Sequence, residues 1–173
     1  MSEASAKAEG AGFPSRPLDC GLFDVEPGWI DYNGHMNVGY YMLAFDQALD
    51  KVFADWLGLD AASVEREGMG PFAMQSSMHY LSELRLGQKF RVSFQLLDCD
   101  HKRVHFLSLM HEAESGALSA AMEQISINVD HATRRSAPMP DGLQERFAAL
   151  MEAHRDLPRP DFLGATIGIR RSS

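Results

Sequence analysis

Two cysteines, Cys20 and Cys99, are all that the 173 residues contain. They provide neither a disulfide framework nor a ligand pair for a metal, and they read as free thiols of a cytoplasmic protein. No apolar run approaches the roughly 18 residues that a membrane-spanning helix requires. Residues Met1 to Ala11 have no apolar stretch of the secretory-signal kind, and 1–17 read as a disordered leader. Basic residues are outnumbered, 16 Lys and Arg against 24 Asp and Glu, for a net charge of −8. Without a dense Lys/Arg stripe, such a chain is a poor partner for nucleic acid or an anionic membrane. The histidines are not spaced for a metal. His101 and His105 lie in a strand-like segment, where four residues separate them by about 13 Å. His111-Glu112 lacks the second histidine of a zinc-protease motif. There is no nucleophile-elbow serine, phosphate-binding P-loop or dinucleotide glycine pattern, so serine hydrolase, NTPase and dinucleotide chemistries find no support.

What is present is the composition of one globular domain: 45% hydrophobic and 23% charged residues. The domain is expected over 18–155, followed by a loose tail over 156–173. Cys20–Val25 has strand character and stops at Pro27-Gly28. From Val38 the period changes: Tyr41, Phe45, Ala48, Val52 and Trp56 recur at steps of three and four. This predicts an amphipathic helix from Val38 to Leu57, capped by Asn37 and stopped by Gly58. From Phe72 to Val129 the period is two. Four segments of about ten residues alternate apolar and polar positions, separated by turn-like stretches. Their short connections predict a meander of consecutive antiparallel strands. A final helix is expected from Asp141 to His154, with Leu143, Phe147, Leu150 and Met151 on one face. The order predicts an α+β domain, a curved antiparallel sheet wrapped around one long central helix that covers its apolar face.

Asp31 is the strongest candidate for chemistry. It lies in a loop that feeds the start of the long helix, where unpaired backbone N–H groups and a partial positive charge gather. Those groups can polarise a carbonyl and hold the oxyanion formed when it is attacked. A carboxylate just upstream can attack that carbonyl or activate a water, so loop and helix suggest acyl transfer or hydrolysis. The simpler alternative is that Asp31 caps a turn through local backbone amides.

The run Trp29-Ile-Asp-Tyr-Asn-Gly-His-Met-Asn37, followed by Tyr40-Tyr41, resembles the signature of hotdog-fold acyl-CoA thioesterases. It is similar to the 4-hydroxybenzoyl-CoA thioesterase-like branch, and looks most like thioesterases associated with carnitine and betaine catabolism. The resemblance covers about Phe23 to Pro138, including the Tyr80–Gly87 segment. It implies the hotdog fold, an acyl-CoA thioester hydrolase, and Asp31 as general base or nucleophile three residues before Gly34. It also implies that N–H groups near Val38 and Gly39 hold the thioester carbonyl, with Asn37 as the loop amide and Tyr41 as the helix tyrosine. One departure stands two residues before the carboxylate, where many relatives carry another Asp and this chain has Trp29.

His35 is read as locking the loop onto a neighbouring strand, ahead of a substrate contact; Gly34, His35, Asn37, Val38, Gly39 and Tyr41 form the expected substrate-binding set. Coenzyme A brings phosphates, and of the basic clusters Lys102-Arg103 and Arg134-Arg135 the first is the expected contact. Ser76, Ser77 and Glu83 are candidates for the acyl pocket. No metal or redox cofactor is implied, coenzyme A being part of the substrate. Open sheet edges and the resemblance imply a homodimer, with a tetramer as the larger alternative. Two other readings remain: a hotdog dehydratase or hydratase using His35 with Asp31, and a non-catalytic acyl-CoA-binding protein.

Overall fold

A computed structural model of the chain describes residues 12–169. The leader expected over 1–17 therefore falls mostly outside the described residues, as do the last four residues of the tail. Strand β1 (Leu18–Asp24) is followed by a 3-10 turn at Pro27–Trp29 and helix α1 (Val38–Val52). A π-helical turn, Phe53–Leu57, continues α1. Then come α2 (Ala61–Glu67), β2 (Met69–Tyr80), β3 (Lys89–Cys99), β4 (Arg103–Glu112) and β5 (Leu118–Asp130). The two-residue β6 (Arg135–Ser136) and α3 (Asp141–His154) complete the order.

Helix α1 forms where the spacing predicts it. Asn37 has extended backbone and its side chain accepts from Gly39 N–H, the geometry of an N-cap. Tyr41, Ala44, Phe45, Ala48, Leu49 and Val52 make one buried stripe. The π turn rotates the last part of the helix so that Phe53 meets Phe94 and Phe106 edge-on, at 5.9 and 6.3 Å. Gly58 then ends the run in a left-handed conformation, φ +64°. Helix α2 lies in a stretch the hydrophobic pattern leaves unassigned. It is held by a reciprocal capping box between Asp60 and Ser63.

All strand pairs are antiparallel, in the spatial order β1-β3-β4-β5-β2, with β6 added to β5. The four long strands are therefore not a simple meander: β3, β4 and β5 are, but β2 pairs with β5 and not with β3. The connection over 81–88 makes this possible. Three strand spacings amount to about 15 Å, and eight extended residues reach about 27 Å, so the segment crosses one end of the curved sheet. On the way it is pinned to the helix start, Met36 N–H donating to Leu84 O at 2.7 Å and Leu84 N–H donating to the Tyr41 hydroxyl at 3.1 Å. Bulges interrupt the register at Asp19/Gly21, Ala73/Gln75, Leu96/Asp98 and Met110/His111. Such bulges bend and twist strands, and here they curl the sheet around α1.

Phe90, Phe94, Leu96, Phe106, Met110 and Met122 face α1 in the main core, joined from α3 by Phe147 and Leu150. The opposite face is also apolar in part. Leu97, Leu107 and Ala121 are buried there under Phe162 and Leu163. This accounts for Leu107 and Leu109, which disturb the alternation of β4: part of the strand is covered on both faces. The tail is thus not loose as far as Gly164. Arg159 donates to Leu97 O at 2.9 Å, Gly164 N–H donates to Glu123 Oε2 at 2.8 Å, and the Phe162 ring lies 4.7 Å from His79. His154, at the end of α3, is buried. Its Nδ1 accepts from Leu96 N–H at 3.0 Å, so the ring proton sits on Nε2 and is donated to Arg16 O, also at 3.0 Å.

Candidate active site

The loop between β1 and α1 is tightly closed. Gly34 N–H donates to Asp31 O at 3.0 Å, and Asp31 N–H to His35 O at 3.1 Å. Gly34 takes φ +79°, a conformation that side chains with a Cβ resist. A single bridge pairs Ile30 with Met36. Asn37 N–H donates to Trp29 O at 2.8 Å, which brings both ends of the loop to the helix start. Trp29 stacks on Tyr40 at 5.7 Å and leans on Phe90. Trp29 is thus a packing residue beneath the loop, in the position where the second carboxylate of related sequences is expected.

This closure fixes Asp31. Its Oδ1 accepts from Asn33 N–H at 2.8 Å and its Oδ2 from Asn37 Nδ2 at 3.0 Å. The Asn33 N–H holds the carboxyl below its ordinary value; burial opposes this, and the Asn37 amide and nearby His35 add to the lowering. Asp31 is therefore an ionised carboxylate at neutral pH. Asn37 has two duties, because its Oδ1 accepts from Gly39 N–H at 3.0 Å while its Nδ2 holds Asp31. One side chain ties the carboxylate to the first turn of α1.

The helix-start donors are not equivalent. Gly39 N–H is committed to Asn37 Oδ1, and Tyr40 N–H to Asn37 O at 3.0 Å. Val38 N–H has no acceptor among the described residues. Of the expected pair, Val38 alone offers a free donor. Val38 lines a cavity of about 340 Å³ with His35, Met36, Tyr41, Tyr80, Leu81, Ser82 and Glu83. A larger cavity, of about 650 Å³, lies elsewhere, under the tail between β2 and β5, and it takes in Ser76 and Ser77. Glu83 therefore joins the loop, and the two serines do not.

Among the described residues the His35 ring makes no hydrogen bond to a neighbouring strand. Its Nδ1 donates to the carbonyl of the next residue, Met36, at 3.2 Å. The loop is instead locked by Met36 and by Tyr41 through Leu84. No hydrogen bond joins the His35 ring to the Asp31 carboxylate among the described residues, so the His–carboxylate pair of a dehydratase is not formed. Lys102 and Arg103 sit in the β3–β4 turn. Lys102 lines a crevice with Phe53 and Leu59, at the other end of the helix and about 20 Å from Val38 by helix rise. Within one chain these residues are not brought to the loop. Arg103 is also engaged: it pairs with Asp100 at 2.6 Å. Burial would raise the Asp100 carboxyl, but the Lys102 N–H and the Arg103 guanidinium bring it to about 2. Arg134 lies over the Phe72 ring, 5.2 Å from its centre. Among the described residues no group of His, Cys, Asp or Glu is arranged to hold a metal ion.

An antiparallel sheet curled around one helix, with a carboxylate tied through Asn37 to the first turn of that helix, is the arrangement of the hotdog class. The chain belongs to the thioesterase-like superfamily, whose model matches residues 25–147. It is 37% identical over 145 residues to the betainyl-CoA thioesterase of Pseudomonas aeruginosa, covering 84% of this chain and 91% of that protein. It is 34% identical over 169 residues to the L-carnitine dehydrogenase/betainyl-CoA thioesterase of Rhizobium meliloti, covering 94% of this chain but only 34% of that protein. The chain thus spans about a third of that relative's length. A Staphylococcus aureus protein solved in complex with CoA superposes with a TM-score of 0.84 at 25% identity, covering 93% of this chain and 100% of the other. The 1,4-dihydroxy-2-naphthoyl-CoA thioesterase of Synechocystis shares the fold, with a TM-score of 0.66 at 16% identity, covering 80% of this chain and 96% of that one.

Proposed function

We propose that the chain hydrolyses an acyl-CoA thioester to the free acid and CoA. The observation that carries this reading is the tie from Asp31 through Asn37 to the first turn of α1, beside the unengaged Val38 N–H. The thioester carbonyl oxygen sits on Val38 N–H, at the positive end of the helix dipole, and the charge that develops there on attack is stabilised. Asp31 acts in one of two ways. As a nucleophile it forms an acyl–aspartyl anhydride, expels the CoA thiolate and is regenerated by water. As a general base it takes a proton from the water that attacks the carbonyl carbon. Both routes need the ionised carboxylate, and the Asn33 and Asn37 hydrogen bonds keep it ionised.

The relatives from Pseudomonas and Rhizobium support betaine as the acyl group. Lys102, which carries no ion pair among the described residues, is the cation left in its turn for a CoA phosphate. Self-association as a homodimer is supported by β2. Among the described residues this 12-residue edge strand pairs on one side only, and it leaves Phe72 and Met74 exposed. A tetramer would need further surfaces. No metal or redox cofactor takes part, and the cytoplasm is the expected compartment; no helix among the described residues is long and apolar enough to cross a membrane.

The test is thiol release from a panel of acyl-CoAs, with wild type beside Asp31→Asn. A loss of about two orders of magnitude or more, with folding intact, supports the reading. Turnover untouched by Asp31→Asn refutes the role of Asp31. Binding without thiol release from any acyl-CoA leaves the non-catalytic binding protein. In a single turnover in ¹⁸O water, unlabelled first acid marks a nucleophilic Asp31 whose anhydride is opened by water at the aspartyl carbon, the acid keeping the bridging oxygen.

A further inference from the structure

The cavity beside Val38 has an unusual lining for a site that receives a neutral acyl chain. Tyr80, at the end of β2, is half-exposed, and its ring meets that of Tyr41 edge-on at 5.4 Å, 80° between planes. Tyr41 is buried and fixed, since its hydroxyl is held by Leu84 N–H. The two rings therefore form an aromatic corner of which Tyr41 is the fixed wall. Glu83 lines the same cavity. Arg85 Nε and Nη2 both engage its Oε1, and among the described residues no hydrogen bond is made to Oε2. Among the cavity-lining side chains there is no Lys or Arg. An aromatic face with a carboxylate beside it is the chemistry that attracts a quaternary ammonium ion, and Arg85, the cation paired with Glu83, lies outside the cavity lining.

Position matters as much as chemistry. In a trimethylammonioacetyl thioester the nitrogen is one carbon away from the carbonyl. A carbonyl seated on Val38 N–H therefore keeps the cation close to Val38, at the cavity that Val38 lines. We propose that Tyr80 and Glu83, backed by Tyr41, form a quaternary-ammonium subsite that selects acyl groups with a trimethylammonium adjacent to the carbonyl-bearing carbon chain's first methylene. The proposal rests on the reading that a CoA thioester docks its carbonyl on Val38. It assigns substrate choice to the strand end and the crossing segment, and not to the catalytic loop.

The test uses a matched pair of ligands: trimethylammonioacetyl-CoA and 3,3-dimethylbutanoyl-CoA, in which carbon replaces the nitrogen. Shape and the CoA part are the same, so the ratio of affinities isolates the charge. Affinities are measured by calorimetry on Asp31→Asn protein, which slows turnover, and thiol release is measured on the otherwise wild-type chain. The cationic thioester is expected to bind more tightly. Tyr80→Leu and Glu83→Gln should each shrink the ratio about three- to thirty-fold, the range of cation–π energies at partly buried sites. Tyr80→Phe, which keeps the ring, should preserve it. A ratio of one in the parent protein, or a ratio unchanged by both Tyr80→Leu and Glu83→Gln, overturns the subsite even if thiol is released. A ratio that responds to both variants, with no thiol released by the Asp31 protein, supports the subsite and overturns the hydrolase reading alone.

Discussion

Replacing Asn37 separates two jobs that one side chain performs. Asn37→Ala removes both: the cap on Gly39 N–H and the hydrogen bond to Asp31. Losing an N-cap costs about 1 kcal/mol, which for a chain of this size lowers the melting temperature by about 2–4 °C. Asn37→Ser keeps a short oxygen that still caps the helix but is too short to hold Asp31. Its melting temperature should therefore stay within about 1 °C of wild type, since serine and asparagine cap comparably. Thiol release should fall in both variants, by about ten- to a hundred-fold, because a carboxylate displaced by an ångström loses its alignment with the carbonyl. The acid limb of the pH–rate profile provides a second readout. Asn37 helps hold the Asp31 pKa down, so removing its amide moves the limb upward in pH, toward the ordinary carboxylate value. Scanning calorimetry with a thiol-release profile between pH 3 and 8 reads both quantities. An Asn37→Ser enzyme with wild-type turnover and an unmoved acid limb would refute the argument that Asn37 positions Asp31.

Acid should weaken the fold through His154, whose burial depresses its pKa below the ordinary histidine value of about 6.5. The unfolded chain then binds more protons, so this stabilisation is complete above about pH 6.5 and is lost as pH falls toward the folded pKa; His154→Leu should flatten that part of a stability–pH curve. The same variant leaves the buried Leu96 N–H without an acceptor and costs about 1–3 kcal/mol at neutral pH, measurable by urea unfolding. Tyr41→Phe removes the acceptor for Leu84 N–H and should loosen the 81–88 crossing, seen as faster amide exchange there with the helix core unchanged. Phe106→Ala, at the centre of the main core, should cost about 3–5 kcal/mol by denaturant titration. Cys20, its thiol pushed up to about 12 by burial, should resist alkylation until the chain is unfolded.

The parts of the fold that were legible in the sequence are those with one buried face. Tyr41, Phe45, Ala48 and Val52 announce α1 because solvent and core lie on opposite sides of that helix. The period-two strands are legible for the same reason. Alternation carries no information about which strand lies beside which, so the pairing of β2 with β5 is invisible in it; it depends on how far the 81–88 segment reaches. Helix α2 escaped because seven residues resting lightly on β2 make no stripe, although Asp60, Ser63 and Gly68 do mark its ends. At the site, Asp31, Gly34 and Asn37 are recognisable from the local motif, since their contacts are all within a few residues. The choice between Val38 and Gly39 as donor is not, because it turns on which N–H the Asn37 side chain takes. Tyr80 and Glu83 come to the same cavity only through the crossing, and no local pattern relates them to position 38.

The tail that crosses the outer face of the sheet also restricts how copies of the chain can be layered. Two sheets laid face to face stand about 10 Å apart, a gap filled by interlocking side chains. Here Phe162 and Leu163 already occupy that layer over β3, β4 and β5, held by Arg159 and Gly164. A second sheet cannot take the same seat without lifting the strap. Higher-order stacking must use ground the strap leaves bare, or else begin by peeling it away.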